Sequence, residues 1–190
     1  MHPPDSAPPP AELDARLRRL YRIYEHLRDT DLTAESRTAR LLQRPEPDRL
    51  RARLADEIAE LAGAADGSHR HRGLPDDAIL EGSQVCYWTF LLAVAARLDY
   101  AALDPAACLS PSVPTLPGQA AARGQILARG IRSASGPVAP ADLRATLRQV
   151  GRTCQALSID PGALVDYDLA QMRARPYLAA FFGDAQGSGA

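Results

Sequence analysis

The chain has 190 residues, of which 46% are hydrophobic, so it is long enough to build one generous domain or two small ones around a packed core. Aromatic residues make up only 5%, whereas Ala, Leu and Arg dominate, which argues against an all-β fold and predicts an all-α fold. The net charge of −1 disfavours nucleic-acid binding, and the absence of any lysine excludes Schiff-base and P-loop lysine chemistry.

Cysteine spacing and hydropathy indicate the cellular compartment in which the protein is expected. Cys86, Cys108 and Cys154 are far apart and form no C-x-x-C pair, which argues against a disulfide framework or a cysteine zinc site. The Pro-rich start contains no apolar signal core, and the longest apolar run, residues 85–96, is too short for a bilayer. We therefore expect a cytoplasmic protein with no membrane partner.

Apolar residues at alternating spacings of three and four predict a succession of amphipathic helices. The predicted helices cover residues 11–29, 33–43, 48–65, 76–98, 118–132, 141–156 and 161–182. The fourth helix is apolar nearly all round, which is typical of the central helix of a bundle. The sequence thus predicts an all-α bundle of about six to seven helices.

Proline-rich and small-residue stretches divide the chain into five segments. They are a disordered start (1–10), a helical core (11–100), a Pro-rich connector (101–117), a C-terminal helical extension (118–182) and a flexible tail (183–190). We assign no chemistry to the second half, where Asp166 and Asp168 are expected to form solvated pairs with nearby arginines.

Four polar side chains on two neighbouring helices are the chemically informative feature. Glu57 falls within the apolar arc of the third predicted helix, and Glu60 lies on its flank. Glu81 and Gln84 share one face of the fourth helix with Trp88. The four polar groups meet if these helices pack face to face.

Three carboxylates brought together without lysine partners repel one another and raise each other's pKa unless a cation neutralises them. Mg²⁺ is the natural cation, with Mn²⁺ as the alternative, because hard ions prefer oxygen ligands. Mg²⁺ commonly bridges to substrate phosphates, so the pattern predicts a nucleotide or pyrophosphate ligand.

Two sequence motifs carry a family resemblance. Residues 53–65, RLADEIAELAGAA, resemble the E-E-x-x-E helix of the all-α nucleoside-triphosphate pyrophosphohydrolases, especially the phosphoribosyl-ATP pyrophosphohydrolases and their MazG-like relatives. Residues 81–92, EGSQVCYWTFLL, resemble the second motif of that family, E-x-x-D-L-L-Y-H followed by an apolar run. The resemblance covers residues 50–98, about a quarter of the chain.

The resemblance implies a core four-helix arrangement and hydrolysis of a phosphoric anhydride, between the α and β phosphates of a nucleotide. The residues that match the family's Mg²⁺ ligands are Asp56, Glu57, Glu60, Glu81 and Gln84. Asp56, or a carboxylate freed from coordination such as Glu57, would orient the attacking water. Short members of the family dimerise, so two arrangements stay open: a homodimer, or a second half that replaces the partner subunit.

The second motif departs from the family pattern at two positions. Gln84 stands where the family has an aspartate, and Trp88 stands where it has a histidine. An amide oxygen can coordinate a metal but brings no charge, so metal affinity should fall and a second metal could be lost from the site. The alternative is a non-catalytic helical module that binds a nucleotide or a protein. A third reading, a purely structural helical protein, predicts that Glu81 pairs with an arginine.

Each of the other polar or aromatic candidates has two possible roles, one functional and one structural. Arg70 and Arg72 could grip phosphates through bidentate contacts, although a solvated loop is the commoner role for such residues. His69 and His71 alternate with them and could bind a metal, but no third ligand lies nearby in the sequence. Trp88 could stack on a base, although a tryptophan in an apolar helix is more often part of the core.

Overall fold

The computed structural model describes residues 10–183. Within this range the chain forms nine α-helices and one 3₁₀ helix, without any strand. Residues 1–9 and 184–190, which contain nearly all of the predicted disordered start and flexible tail, lie outside the described residues. The helices are α1 (Pro10–Asp29), α2 (Arg37–Gln43), α3 (Pro47–Asp66), α4 (Asp76–Ala95), α5 (Tyr100–Leu103), α6 (Pro105–Leu109), α7 (Pro117–Ser133), α8 (Pro140–Ala156), α9 (Pro161–Arg173) and the 3₁₀ helix (Pro176–Phe181).

The all-α prediction is confirmed, but the helices outnumber the predicted six to seven. Two short helices, α5 and α6, occupy the start of the expected Pro-rich connector. Pro105 takes the first turn of α6, where a missing N–H costs nothing, and Leu103 and Leu109 are buried. Apolar anchors therefore fold part of a segment whose prolines had indicated a loop.

The last predicted helix is interrupted in the structure. α9 ends at Arg173, and the chain continues as a 3₁₀ helix from Pro176. Proline lacks the N–H that an α-helix needs and disfavours helical geometry at the residue before it. The predicted helix over residues 161–182 is thus two elements.

Helix α4 occupies the centre of the fold, as its composition predicts. It packs against α1, α3, α8 and α9, and its tyrosine, tryptophan and aliphatic side chains face these neighbours. α4 is long and apolar enough to cross a membrane by length and composition alone, but 72% of its apolar window is buried within the protein. The packing of the fold accounts for its apolar character.

Helix α3 lies between α4 and α7, and its contact with α7 is the most extensive helix pair in the described chain. The two helices approach closely at Gly124, where an added Cβ would lie 2.9 Å from the Ala62 Cβ. The buried Gln149 side chain on α8 donates to the Ala120 carbonyl of α7 over 2.7 Å. The second half of the chain therefore packs directly on the helix that carries Glu57 and Glu60.

One cluster of buried apolar side chains extends from Leu13 to Leu178 and includes residues of both predicted halves. The three cysteines, Cys86, Cys108 and Cys154, are free and buried. The two halves share a hydrophobic core, which holds α3 and α4 in fixed register.

Candidate metal centre and adjoining cleft

Three carboxylates from α3 and α4 converge at the interface of these helices. One oxygen each of Glu57, Glu60 and Glu81 lies within 4.8 Å of the other two. Glu57 and Glu81 are only 5% and 4% exposed, whereas Glu60 lies at the edge of the cluster and remains partly open to solvent. This carboxylate cluster could hold a metal ion, because it offers several hard oxygen ligands at one point.

The positive charge around the carboxylate cluster is small. Arg53, one turn before Glu57 on α3, donates from Nη2 to Glu57 Oε1 over 2.7 Å. On the other side, His69 Nε2 lies 3.3 Å from Glu81 Oε1 and 3.9 Å from Glu60 Oε2. Arg53 is the one arginine paired with Glu57, and the other basic groups near the cluster are imidazoles, so a cation bound there would meet a surplus of carboxylates.

Burial and mutual repulsion both act on the cluster. Burial raises the pKa of Glu57, and the charges of Glu60 and Glu81 raise it further, while Arg53 lowers it. Burial also raises the pKa of Glu81, with a second contribution from Glu60 and an opposing hydrogen bond from His69. A cation bound among them would reverse both shifts, since it favours the charged form of each acid.

A purely structural protein was expected to pair Glu81 with an arginine, and the structure does not show that ion pair among the described residues. The neighbours of Glu81 are His69 and the other two carboxylates. Buried carboxylates held this way cost free energy without a cation. The arrangement is therefore better suited to binding than to stabilising the fold.

Asp56 lies outside the carboxylate cluster. Its Oδ1 accepts from Arg132 of α7 over 2.6 Å, and its Oδ2 lies 3.6 Å from Arg53. The two arginines turn its side chain toward the contact between α3 and α7. A role for Asp56 in orienting water stays a prediction.

Gln84 lies one turn after Glu81 on α4 and lines a cleft of about 490 Å³. The cleft adjoins the carboxylate cluster through Arg53, which lines it and also bonds to Glu57. Four arginines contribute to the walls of the cleft: Arg37, Arg40, Arg53 and Arg175. Gln84 therefore faces a concave, basic surface beside the acidic site.

Trp88 is buried between the cluster and the cleft, with 7% of its surface exposed. The Arg53 guanidinium lies over its ring at 5.5 Å, and the Tyr87 ring meets it edge-on at 5.0 Å. The indole N–H lies near enough to lower the pKa of Glu57, yet it has no hydrogen-bond partner among the described residues. Base stacking on Trp88 would require Arg53 to move, so it stays a prediction.

Arg70 and Arg72 are exposed on the loop between α3 and α4. The Arg70 guanidinium lies beside Gly67, and the Arg72 backbone N–H donates to Asp77 over 2.8 Å. Neither side chain lines the basic cleft. Their role in phosphate binding stays a prediction, and the cleft arginines are better placed for it.

The sequence motifs do not point to Arg37, Arg40 and Arg175. Arg37 and Arg40 lie on α2, just before the first motif but outside it, and Arg175 lies after α9, far from both motifs. The expected solvated ion pair of Asp168 is wrong. Asp168 lines the cleft, accepts a hydrogen bond from Tyr24 over 2.6 Å, and has its pKa raised by burial to about 6. One feature of the sequence could have indicated that Asp168 faces the interior: it lies four residues before Met172, on the same side of the helix as this apolar residue.

Comparison of the chain with known proteins found no match. No family model matches the chain, and neither a curated protein nor a solved structure matches it. The resemblance to the all-α pyrophosphohydrolases therefore rests on residues 50–98 alone, and the family stays a prediction.

Proposed function

We propose that the protein is a Mg²⁺-dependent nucleotide pyrophosphohydrolase, which cleaves between the α and β phosphates of a nucleoside triphosphate or a phosphoribosyl nucleotide. The observation that carries this proposal is the convergence of Glu57, Glu60 and Glu81, with oxygens within 4.8 Å of one another. These carboxylates would hold Mg²⁺, or Mn²⁺ in its place, and the Gln84 amide would assist. A cytoplasmic location is part of the same proposal.

The donor set fits a hard divalent cation. Its ligands are carboxylate oxygens, and Arg53 neutralises only part of their charge. When bound, Mg²⁺ would offset charge on the phosphoryl oxygens and lower the pKa of a water molecule.

The adjoining cleft supports a phosphate-bearing substrate. Arg37, Arg40 and Arg175 reach it from α2 and from the segment after α9, and guanidinium groups suit bidentate contact with phosphate oxygens. Its volume of about 490 Å³ lies within the range of small-molecule sites. These arginines would orient the phosphate chain toward the carboxylates, with Tyr177 on the cleft wall as a surface for the base.

The attacking water must lose a proton to a base. A carboxylate of the cluster that Mg²⁺ leaves uncoordinated could accept this proton, because direct contact with the metal would lower its pKa. Asp56 is a weaker candidate, since its two arginine contacts hold it outside the cluster. We assign the role of general base to Glu57, which also lies beside the basic cleft through Arg53.

A second candidate function is a module that binds a nucleotide without turnover. The residue that favours it is Gln84, which lines the cleft and brings an uncharged amide where the family motif has an aspartate. One charge fewer lowers the affinity for Mg²⁺. The arginines of the cleft would retain the nucleotide in either case.

Turnover of a substrate panel tests the proposal. Purified full-length protein with Mg²⁺ would be incubated with nucleoside triphosphates and phosphoribosyl-ATP, and release of pyrophosphate would be measured. We expect release by the wild type and loss of it in Glu81→Gln, with Glu46→Gln as the matched control. Glu46 undergoes the same change in charge at the exposed start of α3.

The outcomes separate the two candidates. Nucleotide binding without release of pyrophosphate would favour the non-catalytic module. If no substrate turns over, and Glu57→Gln changes neither Mg²⁺ binding nor nucleotide binding, the enzymatic candidate is wrong. If the wild type binds no nucleotide at all, both candidates are wrong.

A further inference from the structure

Two imidazoles lie beside Glu81, and neither of them lines the basic cleft. Ligand nitrogens of His69 and His71 and an oxygen of Glu81 all lie within 4.8 Å of one another. The closest pair is His69 Nε2 and Glu81 Oε1, at 3.3 Å. The third ligand that the histidine tract lacks in sequence is thus supplied by the next helix.

The backbone on the His71 side of the loop is fixed by one buried carboxylate. Asp77, in the first turn of α4, accepts hydrogen bonds from the backbone N–H groups of His71, Arg72 and Gly73 at 2.8 to 2.9 Å. These bonds lower the pKa of the buried Asp77 carboxyl and so favour its ionised form, against the opposing effect of burial. A carboxylate that holds three successive N–H groups fixes the backbone from which the His71 side chain projects.

His69 is fixed from the other side, against the end of α3. Its backbone N–H donates to the Gly63 carbonyl over 3.0 Å. A Cβ on Gly63 would lie 2.8 Å from the His69 Cβ, so only glycine lets the histidine approach this closely. Gly67, with φ of 80°, makes the left-handed turn that brings the chain back over α3. The two imidazole rings then meet edge to face, with centroids 4.6 Å apart.

We propose that His69, His71 and Glu81 form a binding site for a borderline transition-metal ion, with Zn²⁺ as the best match. Imidazole nitrogen is a ligand that Zn²⁺ accepts readily and Mg²⁺ does not, so the site differs in selectivity from the carboxylate cluster. Two histidines and one carboxylate make an incomplete tetrahedral set, and a fourth position stays open to water or ligand. His71 is exposed, which gives the ion a path from solvent.

The site does not rest on the proposed hydrolysis, although the two share one residue. Glu81 is common to the carboxylate cluster and to the histidine site. Zn²⁺ bound by the two histidines would also be coordinated by the Glu81 carboxylate, so it would compete with Mg²⁺ for that ligand. A cell's Zn²⁺ supply would then tune the affinity of the carboxylate cluster for Mg²⁺.

Zn²⁺ titration of the full chain tests this site. Calorimetry would measure Zn²⁺ binding, and the visible absorption of Co²⁺ would report nitrogen ligands and low coordination number. We expect a single site per chain, weakened by more than about tenfold in His71→Ala and in His69→Ala, since even lost supporting contacts cost a metal site that much. Far-UV circular dichroism would show that the exposed His71→Ala variant keeps its helices.

Two control variants make the result specific. His26→Ala removes an imidazole that lies on α1 against Thr30 and Phe181, so it should leave Zn²⁺ binding unchanged. Glu57→Gln should weaken Mg²⁺ binding and leave Zn²⁺ binding in place, which separates the two sites. If the wild type does not bind Zn²⁺, or if His71→Ala binds it as tightly as the wild type, the histidine site does not exist.

Discussion

The Arg53 guanidinium donates to Glu57 Oε1 over 2.7 Å and also covers the ring of Trp88. Through these contacts one residue neutralises part of the carboxylate cluster, shields the indole and forms part of the cleft wall. Arg53 is therefore the connection between the acidic and the basic halves of the candidate site.

The substitution Arg53→Gln should have opposite effects on stability and on metal affinity. The free energy of unfolding should fall by about 1–2 kcal/mol, because a buried carboxylate loses its partner while Arg53 itself is half-exposed. Mg²⁺ affinity should rise, because a competing cation is gone. Urea unfolding and calorimetric Mg²⁺ titration measure the two effects.

Arg49→Gln is the matched control for Arg53→Gln. Arg49 lies one turn earlier on α3 and pairs only with the exposed Glu46. If both variants lose the same stability and neither changes Mg²⁺ affinity, Arg53 does not act on the cluster.

Gln84→Asp introduces the charge that the similar family motif carries at this position. With a fourth carboxylate one turn from Glu81, Mg²⁺ should bind about tenfold more tightly, since affinity at oxygen sites follows ligand charge. Pyrophosphate release should rise with it if the catalytic geometry is intact. Gln171→Asp makes the same change in the same cleft from α9, away from Glu81, and should not tighten Mg²⁺ binding. Equal effects of the two variants would mean that Gln84 holds no special position.

Asp168 makes the stability of the fold pH-dependent. Its pKa is about 6 in the folded protein, raised by burial, against 3.8 as the usual value. The folded state therefore binds the proton more tightly than the unfolded chain, and this contribution to stability is complete below about pH 4 and lost as pH rises through about 6. Asp168→Asn should flatten this slope and raise stability at pH 7 by about 2 kcal/mol.

The control for Asp168 lies two residues earlier on the same helix. Asp166 is exposed and pairs with Arg16, so Asp166→Asn should lower stability slightly and leave the slope between pH 4 and pH 6 in place. Thermal unfolding across this pH range would compare the two variants. An unchanged slope in Asp168→Asn would show that the carboxyl titrates normally.

Gly124 and Gly130 on α7 provide a test of how the second half packs. A Cβ at Gly124 would meet the Ala62 Cβ at 2.9 Å and the Gln149 amide at 3.3 Å, whereas a Cβ at Gly130 meets nothing within 4 Å. Gly124→Ala should cost about 1–3 kcal/mol through overpacking. Gly130→Ala should stabilise the protein by about 0.5–1 kcal/mol, because alanine favours the helix. Urea unfolding that ranks the variants in the reverse order would contradict the α3–α7 contact.

Local patterns predicted most of the fold. Helical periodicity and capping act over a few residues, so the long helices other than α9 begin and end within a few residues of their predicted bounds. The short helices α5 and α6 were missed because tertiary burial of Leu103 and Leu109, and not periodicity, stabilises them. The implied four-helix family arrangement stays a prediction.

The candidate site was predictable only where its residues come from neighbouring elements. Glu57, Glu60 and Glu81 lie on consecutive long helices, so helical spacing and burial were enough to bring them together. Asp168 and Arg175 come from a segment far from both motifs, and nothing local to Arg175 indicates that it lines the same cleft as Arg53. Arg37 and Arg40 lie on α2, next to α3 in the chain, but no motif marks them. Such contacts depend on how the whole bundle packs.

Anomalous diffraction from crystals grown with Mn²⁺ would show directly whether the carboxylate cluster is a metal centre. We expect a peak bonded to carboxylate oxygens of Glu57, Glu60 and Glu81 at about 2.0–2.2 Å, as is usual for a hard ion of this size. Crystals of Glu46→Gln should show the same peak, and crystals of Glu81→Gln should not. A peak in the wild type that lies only at other residues, or no peak at all, would contradict the assignment of these three carboxylates as metal ligands.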